Sequence, residues 1–354
     1  MALPDFALCV GINGYPGLTP LSGAEYDAKA FHDWATGAGG VDPNNAELIV
    51  SSQFPNAGQV TDAQPASQKI FDFFEKIRAA AKANNDNNLG EVAGRRLYMF
   101  FSGHGFSPSI DTSGVLMANA ERDTPHNLSA KAWADRFYEN GLFEEVLLFQ
   151  DACREPVIDV DLTPPYLKRS TMPGIQGRKR FYAFAARSPL LALERPIDGQ
   201  VRGIFAATLM EGLGGAAREP RTGEISAEDL KRYLMANMEK RLSPAELDNE
   251  DISKRPEVYD PDPFVIVPAA AGGGAAAGAV PLFPVEVALP AGASARILDH
   301  AGQAVRNTAP GAPPWRTDLP LGLFELAVDS QPSVLFRVVG TIGADGKAEV
   351  VHVP

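Results

Sequence analysis

Cysteine is scarce in this chain of 354 residues, which contains only Cys9 and Cys153. Two cysteines are too few for a disulfide scaffold or a four-cysteine zinc site, and a reducing cytoplasm is the simplest setting for them. Basic residues are also in deficit, with 32 Lys and Arg against 44 Asp and Glu and a net charge of −12. Nucleic acids and anionic membranes attract basic surfaces, so neither is expected as a partner.

The amino terminus has no basic segment ahead of an apolar run, so no signal peptide is predicted. One uncharged stretch, from Pro263 to Val285, is long enough to cross a bilayer. Glycine and alanine form its centre and four prolines interrupt it, which favours a flexible linker over a transmembrane helix. The linker is placed at residues 268–280. The protein is therefore expected in the cytoplasm.

Before the linker, short apolar runs alternate with segments of helical periodicity. Strands are predicted at residues 6–12, 47–51, 97–101, 146–149, 181–185 and 264–267. Helices are predicted at 24–35, 70–81, 129–138, 204–213 and 226–242, the first opened by a capping box over residues 22–25. This alternation predicts an α/β domain over residues 1–267, with a mostly parallel sheet and helices on both faces. In such sheets, functional sites lie beyond the carboxyl ends of the strands.

The pattern changes after the linker. Apolar residues alternate with others, and turns rich in glycine, alanine and aspartate separate the runs. Residues 281–354 are therefore predicted to form a small all-β domain of the sandwich type. Its charges are few and mixed, so they indicate no particular ligand, and a protein partner is left open.

Two predicted strands run directly into loops that carry reactive side chains. One leads into Ser102-Gly103-His104-Gly105 (the histidine loop, residues 102–105), the other into Asp151-Ala152-Cys153-Arg154 (the cysteine loop, residues 151–154). If the two strands are parallel neighbours, His104 and Cys153 face each other at one edge of the sheet. A Cys–His pair is the minimum for thiol catalysis, and the backbone N–H groups of Gly105 and Cys153 are suited to stabilise an oxyanion.

These loops resemble the active site of the caspase-like cysteine peptidases, which comprise caspases, metacaspases and bacterial orthocaspases. Caspases carry Ala-Cys in a loop with a histidine about fifty residues upstream, and His104 has this relation to Ala152-Cys153. The segments 7–13, 21–28, 203–210 and 255–264 are similar to further parts of metacaspases or their bacterial relatives, so the resemblance covers residues 1–267. It implies a caspase-like sheet and the activity of a cysteine endopeptidase, a hydrolase.

The resemblance also implies where the substrate binds. In metacaspases, the positions that match Asp27, Ser102 and Asp151 line the pocket for the residue before the scissile bond. Caspases have a neutral glutamine where this chain has Asp151. Two carboxylates in a partly buried pocket favour a cationic guest, so cleavage after Arg or Lys is expected in protein or peptide substrates. The alternatives are that Asp27 is an exposed helix residue and that Asp151 caps a loop.

The stretch from residue 156 to 180 has no periodicity and is predicted to be an exposed loop. Exposed loops are the preferred places for cleavage, and an enzyme of this specificity is expected to cut itself there. The candidate positions are the five basic residues Lys168, Arg169, Arg178, Lys179 and Arg180. Two other functions stay open: a catalytically idle caspase-like scaffold that binds a partner through residues 281–354, and acyl transfer by the same dyad.

The remaining candidates favour structural roles. Cys9 lies in the middle of a predicted strand and is predicted to be a buried core residue. Metacaspases often need calcium, so the resemblance alone allows it, but the pair Asp159 and Asp161 lacks the further oxygen ligands of a calcium site. No metal site is predicted, and the thiol chemistry requires no cofactor.

Overall fold

The structure is a computed structural model. It describes residues 3–155, 160–169, 177–220, 222–259, 261–269, 283–288, 293–298, 303–307, 315–319, 322–328, 333–338 and 351–353. The chain forms two compact units. The first comprises Met1–Met210 and Met238–Phe264, and the second comprises Glu211–Asn237 and Val265–Pro354.

The helices and strands follow one another in this order: β1 (Asp5–Gly11), α1 (Ala24–Thr36), β2 (Ala46–Val50), α2 (Ser67–Asp86), β3 (Gly94–Ser102), β4 (Gly105–Phe106), β5 (Gly114–Leu116), β6 (Asn127–Leu128), α3 (Ala130–Glu139), β7 (Phe143–Asp151), β8 (Lys179–Phe184), β9 (Glu194–Ile197), β10 (Gln200–Gly203), α4 (Ile204–Glu211), β11 (Ile225–Ser226), α5 (Ala227–Asn237), α6 (Pro244–Asp248), β12 (Glu257–Val258), β13 (Val265–Val267), β14 (Phe283–Val287), β15 (Ala295–Leu298), β16 (Ala304–Asn307), β17 (Trp315–Leu319), β18 (Gly322–Val328), β19 (Val334–Val338) and β20 (Val351–Val353).

Six strands form the central sheet of the first unit, in the order β12-β8-β7-β3-β1-β2. The five long strands are mutually parallel, and the two-residue β12 pairs antiparallel with β8 at one edge. The mostly parallel α/β sheet predicted from the sequence is thus confirmed. Because β3 and β7 are parallel neighbours, the residues that follow them lie at the same edge of the sheet.

Helices cover both faces of this sheet. On one face, Phe74 of α2 and Trp133 of α3 lie 4.3 Å apart between ring centroids, within a large buried cluster that includes Leu8 of β1. On the other face, Phe31 of α1 stacks on Phe100 of β3 at 4.8 Å. Cys9 pairs in register with Phe100 and is fully buried, as predicted.

The second unit contains most of the carboxyl-terminal strands. They form a three-stranded sheet, β17-β14-β20, and a four-stranded sheet, β16-β15-β18-β19. All of their pairings are antiparallel except that of β14 with β20. Strands of both sheets contribute to one buried cluster, including Val287 of β14 and Leu326 of β18. The small β region predicted after the linker is confirmed.

The predicted linker lies almost entirely outside the described residues, which include only its first two positions, Pro268 and Ala269. The division of the chain at residues 267 and 280 therefore stays a prediction. Among the described residues, no helix has both the length and the apolar character needed to span a membrane.

One predicted detail is wrong. The capping box over residues 22–25 does not form, because no side chain of that segment caps α1. Instead, the carboxylate of Glu194 in β9 accepts hydrogen bonds from the N–H groups of Ser22 and Gly23 at the start of the helix. The strand predicted at 264–267 is confirmed as β13, which pairs with β11. The central sheet is bordered by β12.

Gly11, at the carboxyl end of β1, supplies a test of the packing between β1 and α1. A Cβ atom at this position would overlap the Ala24 carbonyl oxygen and lie 2.7 Å from the Ala28 Cβ. Gly11→Ala should therefore lower the free energy of unfolding by about 1–3 kcal/mol, measured by chemical denaturation. Gly14→Ala is the matched control, because its Cβ would only touch Ser51 at 3.5 Å. Equal effects of the two changes would contradict this packing.

Candidate active site

The two reactive loops are neighbours at the carboxyl edge of the sheet. Ser102, the last residue of β3, is in register with Asp151, the last residue of β7. The N–H of Gly103 donates to the Asp151 carbonyl oxygen at 3.2 Å. A Cβ atom on Gly105 would lie 2.7 Å from the Cys153 carbonyl oxygen, so only glycine permits this approach. The structure therefore places His104 and Cys153 in adjoining loops.

The imidazole of His104 is held by two groups that sequence reasoning missed. Its Nε2 lies 2.7 Å from the carbonyl oxygen of Thr19, and its ring packs edge-on against Tyr15 at 4.7 Å between centroids. A carbonyl oxygen can only accept, so Nε2 carries the hydrogen. In the neutral ring, Nδ1 then keeps the free electron pair. The His104 imidazole is thus oriented to accept a proton at Nδ1.

Tyr15 also fixes the backbone of the histidine loop. The His104 N–H donates to the Tyr15 hydroxyl at 3.0 Å, and that hydroxyl lies 3.3 Å from the Leu116 carbonyl oxygen. Neither Thr19 nor Tyr15 has a sequence signal for this role. Thr19 contributes only its backbone, and Tyr15 follows β1, far from His104 along the chain.

The Cys153 thiol makes a different contact in this conformation. Its Sγ donates to the carbonyl oxygen of Ala192 at 3.6 Å. Burial raises the pKa of Cys153 to about 11, and the Glu155 carboxylate also favours the neutral thiol. The thiol is therefore protonated at neutral pH and hydrogen-bonded away from a base.

The backbone of β4 provides a hydrogen-bond donor beside the cysteine loop. The Leu116 N–H donates to the His104 carbonyl oxygen at 2.9 Å, and Gly105 follows in register with Val115 of β5. In an antiparallel ladder, the residue after such a bond turns its N–H away from the partner strand. The N–H of Ser107, two residues on, points to the same side and donates to the Glu155 carbonyl oxygen. Gly105 N–H thus points toward the side of the cysteine loop, as an oxyanion donor requires.

The predicted pocket residues Asp27 and Asp151 both pack against Gly203. One Asp27 oxygen accepts from the Arg202 Nε at 2.8 Å and the other from the Gly203 N–H at 2.7 Å. A Cβ atom on Gly203 would overlap Asp151, whose Oδ2 accepts from the Ala206 N–H at 2.9 Å. Asp27 is fully buried, whereas Asp151 keeps 6% exposure. Both carboxyl groups are therefore buried in this conformation.

Burial changes the protonation of both carboxyl groups. It raises the pKa of Asp27 to about 6 even though the Arg202 guanidinium opposes the shift. Burial, together with the charge of Asp27, raises the pKa of Asp151 to about 8. Asp151 is therefore mainly neutral at pH 7, and the pocket carries less negative charge than a count of its acidic residues suggests.

Sequence reasoning missed two further residues that interact with Asp27 and Asp151. Arg202 pairs with Asp27, and its guanidinium also lies 5.3 Å from the ring centroid of Tyr26. Glu194 binds the amino end of α1 and adds a third acidic group whose charge acts on both aspartates. Both residues lie on the β9–β10 hairpin, a segment without a periodic signal. The only sequence feature that could have drawn attention to this hairpin is its position directly before the helix predicted at residue 204.

Arg154 anchors the cysteine loop. Its guanidinium is fully buried, contacts Glu257 of β12, and donates to the carbonyl oxygens of Ile110 and Thr112 at 2.6 and 3.0 Å. A buried guanidinium that bridges separate segments fixes the backbone that carries it. Arg154 therefore positions the backbone of the adjacent Cys153.

The predicted processing loop is shorter than expected. Lys179 and Arg180 are not in a loop but are the first two residues of β8, in register with Glu145 and Val146 of β7. The prediction of a loop at these two residues is wrong, because they pair with β7 as part of the parallel sheet. Lys168, Arg169 and Arg178 do lie outside helices and strands.

No metal site emerges from the described residues, where no group of three or more His, Cys, Asp or Glu side chains is suited to hold an ion. Asp161 uses its carbonyl oxygen to accept from the side chain of Asn127 at 3.1 Å. Asp159 lies outside the described residues. The weak calcium candidate therefore gains no support.

No family model and no curated protein matches the chain. Solved structures similar to it include caspase-1 from Spodoptera frugiperda, with 13% identity, coverage of 73% of this chain and 88% of that chain, and a TM-score of 0.44. A structure of pro-sf-caspase-1 has 12% identity, 73% and 91% coverage, and a TM-score of 0.41. A protein from Geobacter sulfurreducens has 14% identity, 72% and 92% coverage, and a TM-score of 0.43. These likenesses concern the fold alone.

The raised pKa of Asp151 makes stability depend on pH. The folded protein keeps a proton on Asp151 up to pH of about 8, whereas the unfolded chain loses it near pH ~4. Between these two pH values, the folded protein binds one proton more than the unfolded chain. The stabilisation of the folded state by this proton is therefore complete below pH ~4 and is lost as the pH rises through about 8. Melting temperature should fall across that window, and Asp151→Asn should flatten the fall.

Differential scanning calorimetry between pH 5 and pH 9 measures this slope. Asp86→Asn, at the exposed end of α2, is the matched control and should leave the slope unchanged. If the Asp151→Asn protein keeps the wild-type slope, Asp151 does not hold the proton.

Proposed function

We propose that this protein is a cysteine endopeptidase in which Cys153 is the nucleophile and His104 the base, and that it cleaves after Arg or Lys. The observation that carries the proposal is the Nε2–Thr19 hydrogen bond of His104, which leaves Nδ1 free as a base beside the cysteine loop. The histidine and cysteine loops adjoin each other, since the Gly103 N–H donates to the Asp151 carbonyl oxygen at 3.2 Å. The parallel pairing of β3 with β7 brings the histidine loop and the cysteine loop to the same edge of the sheet.

The chemistry follows from these groups. His104 Nδ1 takes the Cys153 proton, and the thiolate adds to the carbonyl carbon of the scissile peptide bond. The developing oxyanion accepts hydrogen bonds from the N–H groups of Gly105 and Cys153. The imidazolium then protonates the leaving amine, and water hydrolyses the thioester to release the acid and the thiol.

One rearrangement precedes catalysis. The Cys153 thiol donates to the Ala192 carbonyl in this conformation, so its Sγ must turn toward the histidine loop to meet His104. A neighbouring imidazolium favours the thiolate and lowers a thiol pKa that burial had raised. We infer that the described conformation is a resting one. Substrate binding or self-cutting then favours rotation of the Cys153 side chain toward His104.

Preference for a basic residue rests on the Asp151 side of the pocket. A cation at Asp151 favours the ionised carboxyl, so binding of Arg or Lys releases the proton that Asp151 holds at pH 7. Ser102 lies in register with Asp151 and adds a polar neighbour. An acidic side chain would instead face Asp27 and Glu194, whose charges already raise the pKa of Asp151. The pocket thus attracts a basic side chain and repels an acidic one, and this difference is the basis of the proposed selectivity.

Covalent labelling tests the dyad. A peptidyl chloromethyl ketone with Arg before the warhead should add one label to the wild-type protein, as measured by intact mass. Cys9→Ala should label equally, because Cys9 is fully buried. Cys153→Ala should neither label nor turn over peptides, and His104→Ala should lose several orders of magnitude in rate. Wild-type turnover by Cys153→Ala would refute the assignment.

The pocket is tested with matched peptides that end in Arg, Lys, Asp or Ala before the scissile bond. The kcat/KM for Arg should exceed that for Asp at least a hundredfold, which corresponds to about 2.8 kcal/mol. Asp151→Asn should reduce the ratio while circular dichroism shows an unchanged fold. Faster cleavage after Asp than after Arg would contradict the pocket assignment even in an active enzyme.

A second function, a caspase-like scaffold without catalysis, is favoured by two observations. The Cys153 thiol bonds to a backbone carbonyl, and the buried Asp27 is already paired with Arg202. A folded wild-type protein that neither labels nor cleaves peptides would support this function. Binding of a protein partner through residues 281–354 is then the activity to seek.

A further inference from the structure

The polar residues proposed for the substrate pocket lie on one face of the central sheet. Ser102 and Asp151 end neighbouring parallel strands in register, so their side chains point to the same face. That face is covered by α1, because Phe31 of α1 stacks on Phe100, two residues before Ser102 in β3. Asp27 lies one helical turn before Phe31 and is fully buried. The pocket therefore lies between this sheet face and the amino-terminal part of α1.

The protein itself already uses most of the carboxylate oxygens of this pocket. Asp27 accepts through Oδ1 from the Arg202 Nε at 2.8 Å, and through Oδ2 from the Gly203 N–H at 2.7 Å. Asp151 accepts through Oδ2 from the Ala206 N–H at 2.9 Å. Within the described part of the chain, no hydrogen bond is made by the Asp151 Oδ1. This oxygen is therefore the carboxylate acceptor that remains for a guest.

The Ser102 hydroxyl is a second acceptor beside it. Ser102 is buried and is the neighbour of Asp151 in the sheet. Among the residues that the structure describes, none forms a hydrogen bond with its hydroxyl group. A guest at this place would thus find two adjacent acceptors, the Asp151 Oδ1 and the Ser102 Oγ, which belong to different side chains.

Arg202 places a guanidinium of the protein against the acidic pair. Its side chain is 15% exposed, and its guanidinium carbon lies 5.3 Å from the ring centroid of Tyr26. The charge of Arg202 opposes the rise in the pKa of both Asp27 and Asp151. The Arg202 Nη2 is buried and has no hydrogen-bond partner among the described residues. The pocket therefore already holds one cation and has more donors than acceptors.

Lysine and arginine make different demands on such a pocket. A guanidinium brings a planar fork of N–H donors, which pairs best with both oxygens of one carboxylate. An ammonium group is a compact charge with fewer donors and needs no paired oxygens. Asp27 and Asp151 each have an oxygen committed to a backbone N–H. Since buried donors without acceptors cost free energy, these contacts favour the ammonium group over the guanidinium.

We propose that Arg202 is a specificity-determining residue: by occupying Asp27, it makes the pocket prefer lysine over arginine before the scissile bond. The proposal rests on the peptidase function proposed above and divides its two basic substrates. The lysine ammonium group binds the Asp151 Oδ1 and the Ser102 Oγ while Arg202 stays on Asp27. A substrate arginine must leave some of its donors unpaired or displace Arg202 from Asp27, and either change weakens its binding.

Matched peptides with Lys or Arg before the scissile bond test the proposal. In the wild-type protein, kcat/KM for the Lys peptide should exceed that for the Arg peptide about fivefold. Arg202→Ala frees the Asp27 Oδ1 and should raise kcat/KM for the Arg peptide about tenfold, which reverses the order. The gain should come from a lower KM at unchanged kcat, because the contact is made equally in ground and transition states. A purely structural role of Arg202 would instead lower kcat/KM for both peptides alike.

Three variants control this experiment. Arg195→Gln removes an arginine directly opposite Arg202 in the β9–β10 hairpin, but Arg195 binds Glu246, so the ratio should stay unchanged. Asp27→Asn, added to Arg202→Ala, should abolish the gain for the Arg peptide. Arg202→Gln keeps a neutral donor for Asp27 and should shift the ratio in the same direction by less, which serves if circular dichroism shows that Arg202→Ala does not fold. A wild-type preference for Arg, or an unchanged ratio once Arg202 is replaced, would overturn the proposal.

Binding separates this proposal from the peptidase function on which it rests. Isothermal titration calorimetry of the same peptides with Cys153→Ala protein gives their order of affinity without turnover. Tighter binding of the Lys peptide, together with no cleavage by the wild-type protein, would refute the peptidase function and support the preference set by Arg202. Cleavage of both peptides with tighter binding of the Arg peptide would support the peptidase function and overturn the role of Arg202.

Discussion

The register between β3 and β7 is the constraint on which the candidate site depends. These strands are parallel neighbours, and their last residues, Ser102 and Asp151, are aligned. A slip of one residue would turn every side chain of a strand to the opposite face and bury the wrong set. The apolar side chains on both faces of the sheet therefore fix the register, and with it the relation between the histidine and cysteine loops.

The sequence was sufficient to predict the sheet and the two loops, because both depend on local patterns. Apolar runs that end in Gly-His-Gly and Ala-Cys-Arg show where a buried strand meets an edge. The contacts that orient the reactive groups were not predictable in this way. The carbonyl oxygens of Thr19 and Ala192 are backbone atoms, which every residue possesses, so no residue type marks them. The cap of α1 comes from Glu194, which is distant in sequence, and local rules favoured the nearby Ser22 instead.

Charge was the property that sequence reasoning described least well. Counting carboxylates treats Asp27 and Asp151 alike, yet one is paired with Arg202 and fully buried while the other holds a proton at neutral pH. The difference arises from burial and from the contacts that each carboxyl group makes around Gly203. Protonation, rather than a fixed negative charge, therefore decides the charge of Asp151 near neutral pH.

The hydrogen bonds between β7 and β8 have a consequence for a chain cut between them. The two pieces would contribute adjacent strands to one sheet, so the cut molecule would stay together as a dimer of unequal fragments. Before the cut, refolding brings β7 and β8 together within one chain, at a rate independent of dilution. After the cut, each fragment must find its complement by diffusion, and any unfolded fragment exposes the apolar strands that its complement would cover. An intact molecule can refold by itself. After cutting, the native state re-forms only when the two complementary fragments meet, so refolding depends on their concentration.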